Sequence, residues 1–160
     1  MEEKDIADFM LKASKFEFFL VNRDASLAHT NAVGGLIVIT GVNWTRVAQR
    51  VEANFPFHSF DFASSGFEIF AQTAPQYLVI KHDGRLGWDC DNEPIASWDW
   101  LLSRSYAQLR NNVAHGNKHQ MPAPFTYDRT ARFLPAGIAL MNFIANRVFS
   151  EIDWDTPIFS

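Results

Sequence analysis

Arg110, Asn111 and His115 are the side chains in this sequence best suited to chemistry on a phosphate or a ribose. They supply a guanidinium with a fixed fork of donors, an amide, and an imidazole that exchanges protons near neutrality. All three fall in the stretch Leu109-Arg110-Asn111-Asn112-Val113-Ala114-His115-Gly116-Asn117-Lys118. Upstream, Ser97, Trp98, Leu101, Leu102, Ser105, Leu109 and Val113 recur at the spacing of one buried helical face. That spacing predicts a helix opened by Glu93-Pro94 and running to His115. Gly116 stands where a left-handed capping residue is wanted, and Lys118 lies just beyond, at the negative pole of the dipole.

The helix fixes how these groups relate. At about 100° per residue, Asn111 and His115 share a face one turn apart, so the amide can hold the imidazole in one orientation and tautomer. Arg110 lies roughly 140° around from His115. Both act on one substrate only if the last turn loosens, the long arm wraps round, or another subunit completes the site. The dipole favours a charged His115 and the nearby guanidinium opposes it, a balance that suits proton transfer near neutrality.

The run Arg110-Asn111-Asn112-Val113-Ala114-His115, followed by Gly116-Asn117-Lys118, resembles the signature of the HEPN superfamily (higher eukaryote and prokaryote nucleotide-binding domains) in its bacterial ribonuclease and toxin-like branch. The resemblance implies an all-α bundle of about four to five helices, with the motif ending one long helix and another packing antiparallel to it. It also implies a metal-independent endoribonuclease. His115 would move protons at the 2′-hydroxyl or the leaving 5′-oxygen, Arg110 would stabilise charge on the phosphate, and Asn111 would orient His115. Asn112, Lys118 and Arg104 are the expected substrate contacts. One histidine does not readily serve both sides of a phosphate, so a homodimer with a composite site is expected. A nucleotidyltransferase-type antitoxin is the further partner implied. The alternatives are a non-catalytic member binding nucleotide, RNA or protein, and a helical interaction module in which the motif merely caps a helix.

Composition bounds the rest. A chain of 160 residues, 48% of them hydrophobic, is the size of a single domain spanning 1–160 with one core. Fifteen Phe and five Trp mean that large rings carry much of its packing. A lone cysteine, Cys90, makes no internal disulfide, and no leader pattern opens the chain, so a reducing, cytoplasmic setting is expected. The longest apolar stretch, residues 32–40, is interrupted by Gly34-Gly35 and is too short to span a membrane. A net charge of −4 argues against broad phosphate affinity and for a local cationic cleft drawn from Arg104, Arg110, Lys118, His119, Arg129 and Arg132.

Along the chain, Ile6, Phe9, Met10, Ala13, Phe16, Phe19 and Leu20 mark a first helix. Residues 22–31 read as a turn and 28–54 as one long helix, with a short strand over 36–39 as the competing reading. Residues 55–62 are expected to be an extended connector packed by its rings. A capping box from Ser65 to Glu68 predicts a further helix that Tyr77-Leu78-Val79-Ile80-Lys81 continues. Residues 82–94 and 117–126 read as loops. Asp128 begins a last helix that Pro135 either bends or begins, and 152–160 form a tail on the bundle.

Other chemistries lack their residues. Asp89, Asp91 and Glu93 alternate as in a calcium loop, but Pro94 replaces the required glycine. His115 and His119 are separated by Gly116 and have no third ligand in view, so no metal is expected. Gly34-Gly35 lacks the Lys-Ser/Thr of a phosphate loop, and no cofactor is expected. His29, His58 and His82 read as surface or packing histidines.

Overall fold

A computed structural model describes residues 3–89, 93–114 and 127–156. Helix α1 (Glu3–Arg23) buries Phe9, Ala13, Phe16 and Leu20 along one stripe. A 3₁₀ turn at Ala25–Leu27 then leads into strands β1 (Ala28–Val33) and β2 (Leu36–Val42). Helix α2 (Trp44–Asn54) starts at Asn43, whose side chain accepts from the Arg46 amide, and ends ahead of Pro56. A single helical turn, α3 (Ile69–Gln72), precedes strands β3 (Tyr77–Ile80) and β4 (Leu86–Asp89). Helix α4 comprises Trp98–Trp100, a π-helical stretch Leu101–Tyr106 and the segment Ala107–Ala114. Helix α5 covers Tyr127–Phe143 and continues as a π-helical stretch over Ile144–Val148.

The chain is mostly helical, but two antiparallel hairpins take it out of the all-α class. The helix expected over 28–54 is therefore corrected: its first half is the β1–β2 ribbon and only its second half is α2. Gly34 and Gly35 both have positive φ, 56° and 80°. Two consecutive left-handed residues make the tight turn whose twist suits a hairpin, and glycine takes them without a Cβ clash. Residues 77–80, expected to be helical, form β3, and β4 lies within the expected loop; Tyr77 pairs with Asp89 and Ile80 with Leu86. Runs as short as these satisfy helical and extended spacing equally, and the pairing partner decides.

Two helix starts also differ from expectation. Ser97, not Glu93-Pro94, caps α4, accepting from the Trp100 amide at 3.0 Å. Ser65 makes no capping box: its hydroxyl donates to the Phe62 carbonyl and accepts from the Phe67 amide. Helix α5 runs through Pro135, which lies within it.

The core sits where α1, α4 and α5 meet. Gly137 makes that approach possible, since a Cβ there would stand 2.6 Å from the Phe9 ring. Beside it, residues 55–62 are a connector filled by rings, as their composition suggests, but it is not extended throughout, because Phe57–Ser59 form a 3₁₀ turn. Phe57, Phe60 and Phe62 all pack on the Trp98 ring, at 5.5, 5.0 and 5.4 Å between centroids. The buried Trp98 indole donates to the Phe55 carbonyl at 2.7 Å, which satisfies its one polar group. The tail lies on the bundle: Trp154 is buried against Phe16 and donates to Asn142, while Lys12 pairs with Asp155.

Candidate functional site

The last segment of α4 distributes the motif side chains around its axis. Val113 and Leu109 face the core. Asn112 turns inward beside them and is only 5% exposed; its amide donates to the Gln76 carbonyl at 2.6 Å, and its oxygen accepts from Gln108 at 2.7 Å. The asparagine expected to contact substrate thus ties α4 to the segment entering β3. Asn111, about 100° further round, is exposed.

Arg110 crosses to α1. Its Nη2 donates to Glu17 Oε2 at 3.2 Å, and its Nε lies 3.2 Å from Glu17 Oε1. The two contacts are unequal, because only the first is aligned as a hydrogen bond and Nε remains buried without one. Glu17 therefore fixes the plane of the guanidinium through one edge. Among the described residues the Nη1 edge has no partner, and the Arg110 side chain is 36% exposed.

Arg110 also lines an open cleft of about 410 Å³. Glu17, Phe18 and Val21 of α1 line it, together with the end of β2 from Ile39 to Val42, Trp44 of α2, and Ala107, Arg110 and Asn111 of α4. Phe18, Val21, Ile39, Val42 and Trp44 make much of the lining apolar, and the Arg110–Glu17 ion pair and the Asn111 amide supply its polar groups. Beneath it Tyr106 is fully buried, stacked edge-on against Trp44 at 5.1 Å, its hydroxyl without a partner among the described residues. Burial pushes that phenol above its ordinary pKa; the Glu17 carboxylate adds to the rise and Arg110 opposes it. Tyr106 stays a neutral phenol and is no candidate base.

A second, smaller depression of about 250 Å³ adjoins the first. Arg104, Pro75, Tyr77 and Gln108 line it, and it shares Ala107 and Asn111 with the larger cleft. The Arg104 guanidinium lies over the Trp100 ring at 4.7 Å. Arg104 and Arg110 thus occupy separate hollows, with Asn111 on the rim common to both. Arg132 is exposed on α5. His115, Lys118, His119 and the Arg129 side chain lie outside the described residues.

Glu17 and Phe18 are site residues that motif reading does not reach. A signal for Glu17 exists in its phase: a carboxylate next to Phe16 and three residues before Leu20 sits at the margin of the buried stripe, where an unpaired charge is costly. Among the described residues no group of three or more His, Cys, Asp or Glu side chains is placed to hold a metal ion, and no helix is long and apolar enough to cross a membrane.

No protein-family model matches the chain, and neither does any curated protein or solved structure. The likeness to the HEPN superfamily rests on the ten residues from Leu109 to Lys118.

Proposed function

We propose that this chain is a metal-independent, HEPN-like endoribonuclease of toxin or defence type, acting in a reducing, cytoplasmic setting. The observation that supports it best is that Arg110 and Arg104 of α4 line two adjoining clefts that share Asn111. Phosphates of a single RNA strand crossing the shared rim would meet one guanidinium on each side of Asn111.

In this reading Arg110 binds the scissile phosphate through its Nη1 edge and stabilises the charge that builds on the non-bridging oxygens. His115 takes the proton of the 2′-hydroxyl, whose oxygen attacks the adjacent phosphorus. The 5′-oxygen leaves and receives a proton, giving a 2′,3′-cyclic phosphate and a 5′-hydroxyl. Asn111 orients His115, Lys118 and Arg104 hold flanking phosphates, and Asn112 positions the helix rather than the substrate. A second copy of His115 across a dimer axis supplies the acid on the leaving side. A nucleotidyltransferase-type antitoxin is the regulatory partner that goes with this reading.

The Arg110–Glu17 pair favours a second reading, in which the same cleft binds a nucleotide, RNA or a protein without cleaving it. A guanidinium already compensated by a carboxylate brings less net charge to a transition state. Incubating purified protein with RNA in the presence of chelator separates the two. Cleavage to 2′,3′-cyclic phosphate ends that is lost in Arg110→Ala and His115→Ala supports the enzyme. RNA binding without cleavage by the wild type removes it in favour of the binding module.

A further inference from the structure

The β1–β2 ribbon stands apart from the rest of the surface. Val33, Leu36, Ile37, Val38 and Ile39 are 60, 70, 79, 42 and 54% exposed. Cross-strand register places Val33 with Leu36 and Asn31 with Val38 on one face, and Ala32 with Ile37 and Thr30 with Ile39 on the other. Both faces are therefore apolar, and beyond Val42, which is buried in the core at the foot of the ribbon, neither is covered among the described residues. A two-stranded ribbon gains little stability by itself in water, so the arrangement calls for a cover.

Its composition says what kind. Residues 28–42 contain no Lys, Arg, Asp, Glu or Pro. Exposed strands that stay single are guarded by such residues, and this ribbon has none, while both of its outer edges are free among the described residues. A lipid surface or a charged partner would select for cations or for complementary charge, which are likewise missing. An uncharged apolar ribbon is complementary to itself.

We propose that this ribbon is the contact through which two copies of the chain associate about a two-fold axis. The ribbon packs against its counterpart through both apolar faces, Val33, Leu36 and Val38 on one and Ile37 and Ile39 on the other, with the 66% exposed Phe18 that lines the same cleft as Ile39. These apolar side chains expose on the order of 700 Å² in each copy, close to the roughly 800 Å² that one partner gives to an interface of standard size. Ile39 and Phe18 also wall the Arg110 cleft, so association brings the partner copy to the rim of that cleft. The proposal does not rest on catalysis, since an inert bundle with this ribbon would pair in the same way.

The test is light scattering with size exclusion, and sedimentation velocity, over a roughly hundredfold range of concentration. Wild type is expected at twice the 18.2 kDa chain mass. The double variant Leu36→Lys with Ile37→Lys should run at the single-chain mass with an unchanged circular dichroism spectrum, because both side chains are solvent-exposed in the monomer. Ile152→Lys, equally exposed but in the tail, should remain dimeric. A wild type that is monomeric throughout, a ribbon variant that still pairs, equal loss in the tail variant, or a monomer that binds uncharged or anionic vesicles through the ribbon would each overturn the proposal. A dimer that cleaves no RNA leaves it standing and removes only the catalytic reading.

Discussion

Arg110 of α4 and Glu17 of α1, 93 residues apart in sequence, meet side-on with a guanidinium nitrogen 3.2 Å from each carboxylate oxygen. Both side chains line the same cleft, so Glu17 both orients the cation and competes with any anion for it. Removing the carboxylate should separate those effects. Glu17→Gln is expected to lower KM for RNA several-fold, because a negative charge leaves the cleft, and to lower kcat by about tenfold, because the guanidinium loses its fixed plane. Arg110→Ala should lose about a hundredfold or more in kcat/KM. Steady-state kinetics on a short RNA check both, and equal proportional losses in kcat and kcat/KM for Glu17→Gln would show that the carboxylate positions without competing.

The two motif asparagines should respond oppositely to truncation. Asn112→Ala leaves the Gln76 carbonyl and the Gln108 amide without their buried partner, a loss of about 1–3 kcal/mol in urea unfolding. Asn111→Ala touches no buried group and should leave stability within about 0.5 kcal/mol of wild type. Its cost should appear in RNA cleavage instead. If Asn112→Ala is as stable as wild type, the clamp between α4 and β3 contributes nothing.

Gly137 offers a test of the α1–α5 approach. Alanine normally gains about 1 kcal/mol over glycine inside a helix, but here its Cβ would stand 2.6 Å from the Phe9 ring. Overpacking of that kind costs about 1–3 kcal/mol, so Gly137→Ala should be destabilised on balance. Combining it with Phe9→Leu should recover part of the loss, and thermal melts of the single and double variants measure it. A Gly137→Ala protein that melts higher than wild type would mean that the two helices are further apart.

Acid should release the tail. A hydrogen bond from Lys12, with Nζ 2.8 Å from Oδ2, holds the Asp155 carboxyl below its ordinary value of 3.8, against the opposing effect of partial burial. A folded-state pKa that is depressed contributes stability above the unfolded value and loses it as pH falls through the folded one, so the contribution fades below about pH 4. Both side chains are about one-third exposed, and screening keeps the contribution under about 1 kcal/mol. Asp155→Asn should accordingly melt slightly below wild type at neutral pH and match it at about pH 2. A difference that persists unchanged in acid would assign the effect to packing of Trp154.

Local pattern alone was enough for the long helices. Phe9, Ala13, Phe16 and Leu20 repeat at the helical period over many residues, and so do the apolar positions of α4 and α5. Over that length no strand fits the same pattern. The rings of residues 55–62 announced a packed connector for a similar reason, since hydrophobic bulk of that density has to be buried. Pairing is not local. Gly34-Gly35 between Val33 and Leu36 is compatible with a tight hairpin turn, but whether the turn forms depends on residues 28–33 finding 36–42 across it, and both runs are too short to exclude a helix.

The order Arg110, Asn111, Asn112 is written in the sequence, and with it the likeness of the motif to a ribonuclease signature. Which of the three faces solvent, which is spent on the Gln76 carbonyl, and that a carboxylate from α1 holds the arginine were decided only when the helices packed. A helix fixes the angles between its own side chains through its period. It carries no information about which neighbour will stand opposite each of them, because that depends on contacts between segments distant in the chain.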